Sequence, residues 1–463
     1  MSGRLRVVST AFLLLYGALA VMLAYWGVVR APGLLAREDN PRLVEAELRV
    51  QRGRILDRDG LVLAQTVGEP GALERVYPEV MAFSPAVGTY SLRYGVSGIE
   101  ASYDDVLRGG TGSQWQAWWD SLTHRSPTGR DVHLTLDGAL QAAAGNALGR
   151  FRGAAVVLDA RSGDVLALVS RPSYDPNELD EQFETLNGDR DAPLLSRPTQ
   201  ALYQPGTALQ PLLMAMAIEY GRLEPDAAAD DVAAPVQVGD AQLNCASAPG
   251  DAPATMATAM THACPAPFVT LGEELGAEGF RAGLAELGLF ESPGLPVPVA
   301  ATTQPETGSG GESLAAEVTG QGQMTLSPLH MAWALAAIAN EGELPTLKLA
   351  RRIGSGEVVI PQPRAAGAKL SAGAVDAAAQ VMMAAVESGA AREAALEGVE
   401  VAGHVGVAIA GPGGARNAWF LGIAPATAPE PFTRYVVVVL LEDAPDPAAA
   451  ARVGRAIFET VLE

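Results

Sequence analysis

Positive charge is scarce in this chain. Its 463 residues carry 32 Lys and Arg against 53 Asp and Glu, a formal net charge of −21. Nucleic-acid binding needs clustered cations to hold phosphates, so that class of partner is excluded. The acidic balance serves solubility. Cysteine is rarer still, with only Cys245 and Cys264. Two thiols without paired histidines nearby do not make a zinc site. The five histidines (His124, His133, His262, His330 and His404) are scattered and add no ligand cluster. Neither a metal nor another cofactor is expected. Glycine (50) and proline (32) are not dense enough for a disordered chain. No internal repeat occurs. Hydrophobic residues, at 48%, suffice for large cores, and the length points to two or three domains.

Residues 7–29 carry no charge and are flanked by Arg4 and Arg6 before and Arg30 after. The run is long enough to span a bilayer. Arginines on the short N-terminal side favour a cytoplasmic N-terminus. A cleaved signal peptide is the alternative, with small residues at Ala18-Leu19-Ala20. Apolarity continues well past Ala20, which favours an uncleaved, single-pass anchor in the cell membrane. In both cases the bulk of the chain lies outside the cytoplasm. Oxidising surroundings there permit a disulfide between Cys245 and Cys264, 19 positions apart. Closing that loop adds stability on the order of 3 kcal/mol; two unpaired thiols are the alternative.

Beyond the anchor, Ile55-Leu56 and Leu61-Val62-Leu63 flank Asp59-Gly60 and read as a β-hairpin. Residues 75–100 read as Gly/Tyr-rich and irregular, residues 103–110 as a short helix ended by glycine, and 111–129 as a Trp-containing surface excursion. At Asp131 the texture changes. A strand at 132–136 leads to Asp137, which caps a helix over 138–151. Strands at 154–158 and 165–169 turn at Arg161-Ser162-Gly163, with Asp159 and Asp164 solvated beside the turn. Helices are expected over 212–218, 255–260, 268–287, 327–338 and 374–386, and at the C-terminus. Two late strands fall at 418–423 and 435–441. The pattern predicts an α+β fold. An antiparallel sheet is covered by N- and C-terminal helices and carries an inserted helical cluster.

One stretch organises the rest: Gln204-Pro205-Gly206-Thr207-Ala208-Leu209-Gln210-Pro211. Gly206 allows a tight turn, Thr207 is suited to cap, and Pro211 is tolerated only in a helix's first turn. Thr207 and Gln210 then lie three apart on one face of a helix start. A serine and a lysine in those places would be a nucleophile beside its base, under a positive helix end.

Together these residues resemble the class B penicillin-binding proteins, membrane-anchored transpeptidases that cross-link peptidoglycan during division or elongation. Arg52-Gly53-Arg54-Ile55-Leu56-Asp57-Arg58-Asp59-Gly60 resembles the family's R-G-x-I-x-D-R-x-G. Tyr94-Gly95-Val96-Ser97-Gly98-Ile99-Glu100 resembles its Y-G-x-x-G-I-E. Residues 158–167 resemble the hairpin before its nucleophile. Gly320-Gln321-Gly322-Gln323, with residues 325–332, resembles its G-Q-G followed by S/T-P-x-x-M-A, and Asn417-Ala418-Trp419-Phe420 is a further match. The resemblance covers nearly the whole chain in the family's order. It implies the penicillin-binding transpeptidase fold, with a cytoplasmic stub and anchor at 1–30, a β-rich, dimerisation-like pedestal at 31–130 and a transpeptidase-like domain at 131–463.

The family's chemistry uses S-x-x-K, S-x-N and K-T-G. The corresponding residues here are Thr207-Ala208-Leu209-Gln210, Ala263-Cys264-Pro265 and His404-Val405-Gly406. Threonine keeps a hydroxyl but is stiff. Gln210 accepts no proton, so the base is gone. Ala263 lacks a proton-shuttling hydroxyl, Pro265 lacks an amide, and neither Val405 nor Val407 offers a hydroxyl. His404 replaces a permanent cation with a group mostly neutral at pH 7. Backbone amides of Thr207 and Val407 are left as an oxyanion hole, which alone gives only residual catalysis. The expected role is therefore non-catalytic: a scaffold or regulator that binds cell-wall peptides or membrane proteins of the division or elongation machinery. Two alternatives stand beside it. One is a divergent transpeptidase or hydrolase in which His404 serves as base for Thr207. The other is a sensor that binds β-lactams or muropeptides without covalent chemistry.

Overall fold

The computed structural model describes residues 2–30, 49–69, 71–110, 128–239, 241–305, 311–354, 356–358, 369–410, 414–427 and 433–463. Helix α1 (Ser2–Ala24) continues through a π turn, Tyr25–Val29. Its span Val7–Gly27 has a mean hydropathy of 2.2 and none of it packs against protein. A helix that is apolar all round and unburied is long and apolar enough to cross a membrane.

The N-terminal region holds β1 (Ile55–Leu56), β2 (Val62–Val67), β3 (Glu74–Val76), α2 (Val80–Val87), the hairpin β4 (Tyr90–Ser91) and β5 (Gly95–Val96), and α3 (Gly98–Ser102). The chain continues with β6 (Val132–Leu134), α4 (Gly138–Leu148), β7 (Gly153–Asp159), β8 (Val165–Arg171), α5 (Gln210–Glu219), β9 (Val236–Val238) and β10 (Ala241–Leu243). Then follow α6 (Met256–Thr261), α7 (Ala266–Glu286), α8 (Pro328–Ala339), β11 (Ala350–Ile353), β12 (Glu357–Val358) and α9 (Ala372–Glu387). The chain closes with β13 (Ala402–Ile409), β14 (Arg416–Ala424), β15 (Tyr435–Leu441) and α10 (Pro447–Val461).

Five antiparallel strands form the central sheet, in the order β13-β14-β15-β7-β8. Side chains alternate across it. Val156, Leu158, Trp419, Leu421, Val436 and Val438 join the core shared with α5 and α8. Val157, Phe420, Val437 and Val439 join the core under α4 and α10. Both faces are covered, so β15 is apolar at nearly every position rather than at every second one. Asp137, Ser327, Ser371 and Asp446 each accept an amide proton at a helix start and fix where α4, α8, α9 and α10 begin. This is the α+β architecture expected from the sequence.

A second sheet of six strands runs β12-β11-β6-β1-β2-β3. Strands β6 and β11, from beyond residue 130, complete the sheet begun by residues 55–76. Asp57 ties the two regions together. Its Oδ1 accepts from the amides of Asp59 and Leu61, closing the hairpin, and its Oδ2 accepts from the Gly138 amide at the start of α4. Several features differ from expectation, and strands β3, β4, β5 and β9 to β12 are among them. Strand β13 is hidden in the sequence because Gly403, His404 and Gly406 interrupt its apolar run. Helix α2 lies within the stretch expected to be irregular. Asp164, expected in solvent, is half-buried near Lys348, and burial raises its pKa. Most of the Trp-containing stretch, residues 111–127, lies outside the described residues, as does His124.

Two of the quoted motifs meet in a buried ion cluster. Glu100 is fully buried and accepts from Arg52 at 2.9 Å and from Arg75 at 2.6 Å. Arg52 also donates to Asp104 at 2.6 Å, and Arg75 to the Gly53 carbonyl at 2.8 Å. Removing one partner of a buried charge cluster leaves the others uncompensated in a poor solvent, at a cost of roughly 3–5 kcal/mol. Glu100→Ala is therefore expected to destabilise the pedestal by that order. Chemical denaturation followed by tryptophan-independent probes such as circular dichroism checks it, and a loss under about 1 kcal/mol, the range of exposed pairs, contradicts it.

Candidate functional site

The site is built where three backbones nearly touch. The stretch after Pro205 forms a tight 3₁₀ turn, Gly206–Leu209, that runs straight into α5. Gly206 has φ +57°, and a Cβ there would lie 2.0 Å from the Val407 carbonyl oxygen. Gly320 has φ +64° and abuts Gly206 in the same way; the Gly206 amide donates to the Gly320 carbonyl at 2.9 Å. Gly406 brings β13 against the turn, since a Cβ there would meet the Ala208 amide nitrogen at 2.3 Å. Only glycine fits at these three positions.

This packing places Thr207, Gln210, Ala263, Pro265, His404, Val405, Gly406 and Val407 within one neighbourhood. Thr207 is 3% exposed and Gln210 2%. The expected cap is not made. Thr207 sits inside the 3₁₀ turn, where its side chain faces the sheet, and its Oγ1 accepts from the Val407 amide at 3.0 Å. That amide is one of the two assigned to an oxyanion hole, and in this state it is occupied by the threonine's own hydroxyl. Gln210 donates from Nε2 to the Cys264 carbonyl at 2.9 Å, while its Oε1 is buried without a partner.

Ala263 is buried with φ +51°, a conformation uncommon for a residue with a side chain. Pro265 stands at the start of α7, where its missing amide proton costs no helical hydrogen bond. Cys264 between them is joined to Cys245 by a disulfide. Val405 is buried in the core beneath the sheet.

His404 does not form the expected dyad with Thr207. Its Nε2 lies 3.0 Å from the main-chain carbonyl of Thr207, not at the hydroxyl. The Met260 carbonyl faces the ring as a second acceptor. The ring is 1% exposed, and burial, which disfavours the charged form, lowers its pKa to about 4 despite the two carbonyls. A neutral imidazole has one N–H, so it donates to one carbonyl at a time. Histidine here ties β13 either to the turn or to the end of α6, one carbonyl at a time.

Two glutamines not singled out individually from the sequence brace the same site. Gln321 Oε1 accepts from the Ile409 amide at 2.9 Å. Gln204 Nε2 donates to the carbonyls of Gln321 and Gly322, and the Trp419 indole donates to the Gln204 carbonyl. The motif Gly320-Gln321-Gly322 marked the loop. The roles of its side chains depend on β13, which the sequence concealed. Among the described residues no group of three or more His, Cys, Asp or Glu is placed to hold a metal ion.

The buried, neutral His404 carries a pH signature. Its folded pKa lies below that of a free imidazole, so between pH 6.5 and about 4 the unfolded chain binds more protons than the folded one. Stability therefore falls on acidification through that window and is fully present above pH 6.5. The difference for His404 is on the order of 3 kcal/mol. His330, also lowered to about 4 by burial, adds to the same window. Urea denaturation at pH 7 and pH 4 is expected to show a smaller pH dependence in His404→Gln, which keeps a donor but does not titrate. An unchanged dependence contradicts the assignment.

The geometry agrees with comparisons to known proteins. Residues 153–463 match the model of the penicillin binding protein transpeptidase domain, and residues 52–132 match the penicillin binding protein A dimerisation domain. The peptidoglycan D,D-transpeptidase PbpA of Mycobacterium tuberculosis is 31% identical across the whole of this chain and 99% of its own length, and that of Mycolicibacterium smegmatis is equally similar. Among solved structures, penicillin-binding protein A of M. tuberculosis as its ceftriaxone acyl-enzyme complex superposes with a TM-score of 0.80 at 29% identity, covering 90% of this chain and 99% of that one. The D,D-transpeptidase domain of a peptidoglycan glycosyltransferase from Eggerthella lenta gives 0.76 at 28% identity, over 89% and 98%. With a family model matching residues 153–463 and a relative 31% identical along the whole chain, this chain belongs to the penicillin-binding protein transpeptidase family.

Proposed function

We propose that this chain is a membrane-anchored cell-wall protein of that family that does not catalyse D,D-transpeptidation, and that it serves as a scaffold or regulator in division or elongation machinery. The observation that carries the reading is the surroundings of the Thr207 hydroxyl. Acyl transfer needs a group that takes the nucleophile's proton and returns it to the leaving amine. Gln210 has no basic atom and is held to the Cys264 carbonyl. His404 is directed to a main-chain carbonyl. The Ala263 methyl and the Val405 side chain relay no proton. Loss of a nucleophile–base unit lowers rates by about a millionfold in a well-studied hydrolase.

The family fold that would hold a partner or a cell-wall peptide is present among the described residues. Glycines 206, 320 and 406 make close backbone contacts, and Glu100 in the pedestal pairs with both Arg52 and Arg75. A match to a dimerisation domain makes a second copy of this chain one candidate partner. The relatives named above are D,D-transpeptidases, and one was captured with a β-lactam covalently attached. Peptidoglycan peptides are the substrate class that the shared fold suggests for binding here. Helix α1 supports an anchor with the bulk of the chain outside the cytoplasm.

Incubation of the full chain in detergent with benzylpenicillin, followed by intact mass measurement, tests the reading. No covalent adduct is expected in either the natural chain or Thr207→Ala. A penicillin-sized gain in mass that disappears in Thr207→Ala overturns the proposal and makes Thr207 a working nucleophile.

A further inference from the structure

We infer that the junction of pedestal and body holds a binding site for a small uncharged amide, separate from the Thr207 site. The site is a cavity of about 240 Å³. Helices α2 and α3 and strand β5 of the pedestal form one side of it. Strand β8, Tyr174 and the stretches 194–200 and 297–298 of the body form the other. None of the residues placed at the Thr207 site lines it.

Hydrogen bonds across the junction hold the two sides at a fixed spacing. Gln141 is fully buried, and its Nε2 donates to the Ala82 carbonyl in α2 at 2.9 Å and to the Leu168 carbonyl in β8 at 2.7 Å. Its Oε1 accepts from the Leu168 amide at 2.8 Å. Ser102 of α3 donates to the Pro296 carbonyl at 3.0 Å. Within the body, the Ala300 amide donates to the Thr199 carbonyl at 2.9 Å, and Ser170 Oγ donates to the Leu195 carbonyl at 2.9 Å. Protein interiors ordinarily pack without voids of this size. Here the walls are pinned to one another while the space between them stays open, the form of a pocket built in advance of its ligand.

The lining narrows the ligand's chemistry. No Asp, Glu, Lys, Arg or His lines the cavity, so an ion entering it would lose hydration without gaining a counter-charge. Some hydrogen-bonding capacity is unused. The hydroxyls of Ser196 and Thr199 lie 2.9 Å apart; one donates to the other, and the second proton has no acceptor among the described residues. Gln200 is exposed, and its side-chain amide makes no hydrogen bond among the described residues. An amide ligand matches it, with an acceptor and a donor side by side as in glutamine itself. The other polar lining groups are committed: Ser97 accepts from the Thr89 amide, and the Tyr174 hydroxyl bonds to Thr89 and Ser97. The remaining lining residues are Pro, Ala, Val, Leu and Gly, which suit a hydrocarbon body. Size sets that body at about one aromatic ring beside the amide, since an apolar cavity of roughly 150 Å³ takes benzene. Water is the competing occupant. Each ordered water needs about two to four polar partners, and few are left here, so a ligand displaces it readily.

The probe is 4-fluorobenzamide, followed by its fluorine NMR line width as the full chain in detergent is added, with detergent alone as the blank. The amide is expected to broaden saturably and to be displaced by benzamide. Its isostere 4-fluorobenzoate, which carries a charge, is expected to bind at least roughly tenfold more weakly. Gln200→Leu, at an exposed position, is expected to weaken the amide about fivefold, the loss of one hydrogen bond, with an unchanged circular dichroism spectrum. Val96→Trp enlarges a lining residue that is 39% exposed and is expected to abolish saturable broadening. Equal binding of amide and benzoate, no saturation, as for a cavity that holds water only, or undiminished binding in either folded variant overturns the proposal. The comparison of amide with benzoate uses the natural chain and decides the matter even if a variant does not fold.

Discussion

The contact on which the site depends is between backbones. The turn at 206–209, the loop at 320–322 and strand β13 approach more closely than any side chain allows, and glycines 206, 320 and 406 make that possible. Once the three segments touch, the hydroxyl of Thr207 has little choice of partner and takes the Val407 amide. Gln321 then takes the next outward-facing amide of the strand, at Ile409. Two amides on the outer edge of β13 are thus satisfied from within the chain. In this chain the polar side chains around that contact, Gln210 and His404, are neutral.

Neutrality at that point has a physical consequence. A buried lysine needs anions, amide oxygens or water around it, whereas a glutamine or an uncharged histidine is satisfied by carbonyls. Gln210 and His404 each use a carbonyl, that of Cys264 and that of Thr207 respectively. The disulfide at Cys264 joins this same segment to the loop around Cys245. The result is a region held together as a core is held, by short polar contacts under hydrophobic cover, with Leu209, Leu212 and Met260 packed alongside.

Charge is handled in the opposite way in the pedestal. There Glu100, Asp104 and three arginines are retained, two of the arginines deeply buried. Such a cluster does not by itself make a protein more stable than a hydrophobic core would, but it strongly disfavours any arrangement that separates its members. It fixes the segment after residue 50 against β3 and α3. Because β6 and β11 pair into the same sheet, the pedestal is joined by hydrogen bonds to the body that carries the site.

Much of this was legible in the residues. The apolar run of α1, the Asp-Gly hairpin, the helix caps and the unbroken hydrophobic β15 each follow from local chemistry acting over a few positions. The residue types at 207, 210, 263 and 404 were equally plain, and residue type alone says that glutamine is no base. What needed the tertiary structure was direction. Whether Thr207 caps a helix or meets a strand, whether His404 faces a hydroxyl or a carbonyl, and whether Arg52 and Arg75 share one carboxylate are decided by segments far apart in the chain. Strand β13 illustrates the reason. Its glycines blur the two-residue period that announces a strand, yet those same glycines create the close approach around which the site is arranged. Sequence determined which chemical groups this protein has, and only the packing of distant backbones decided which of them meet.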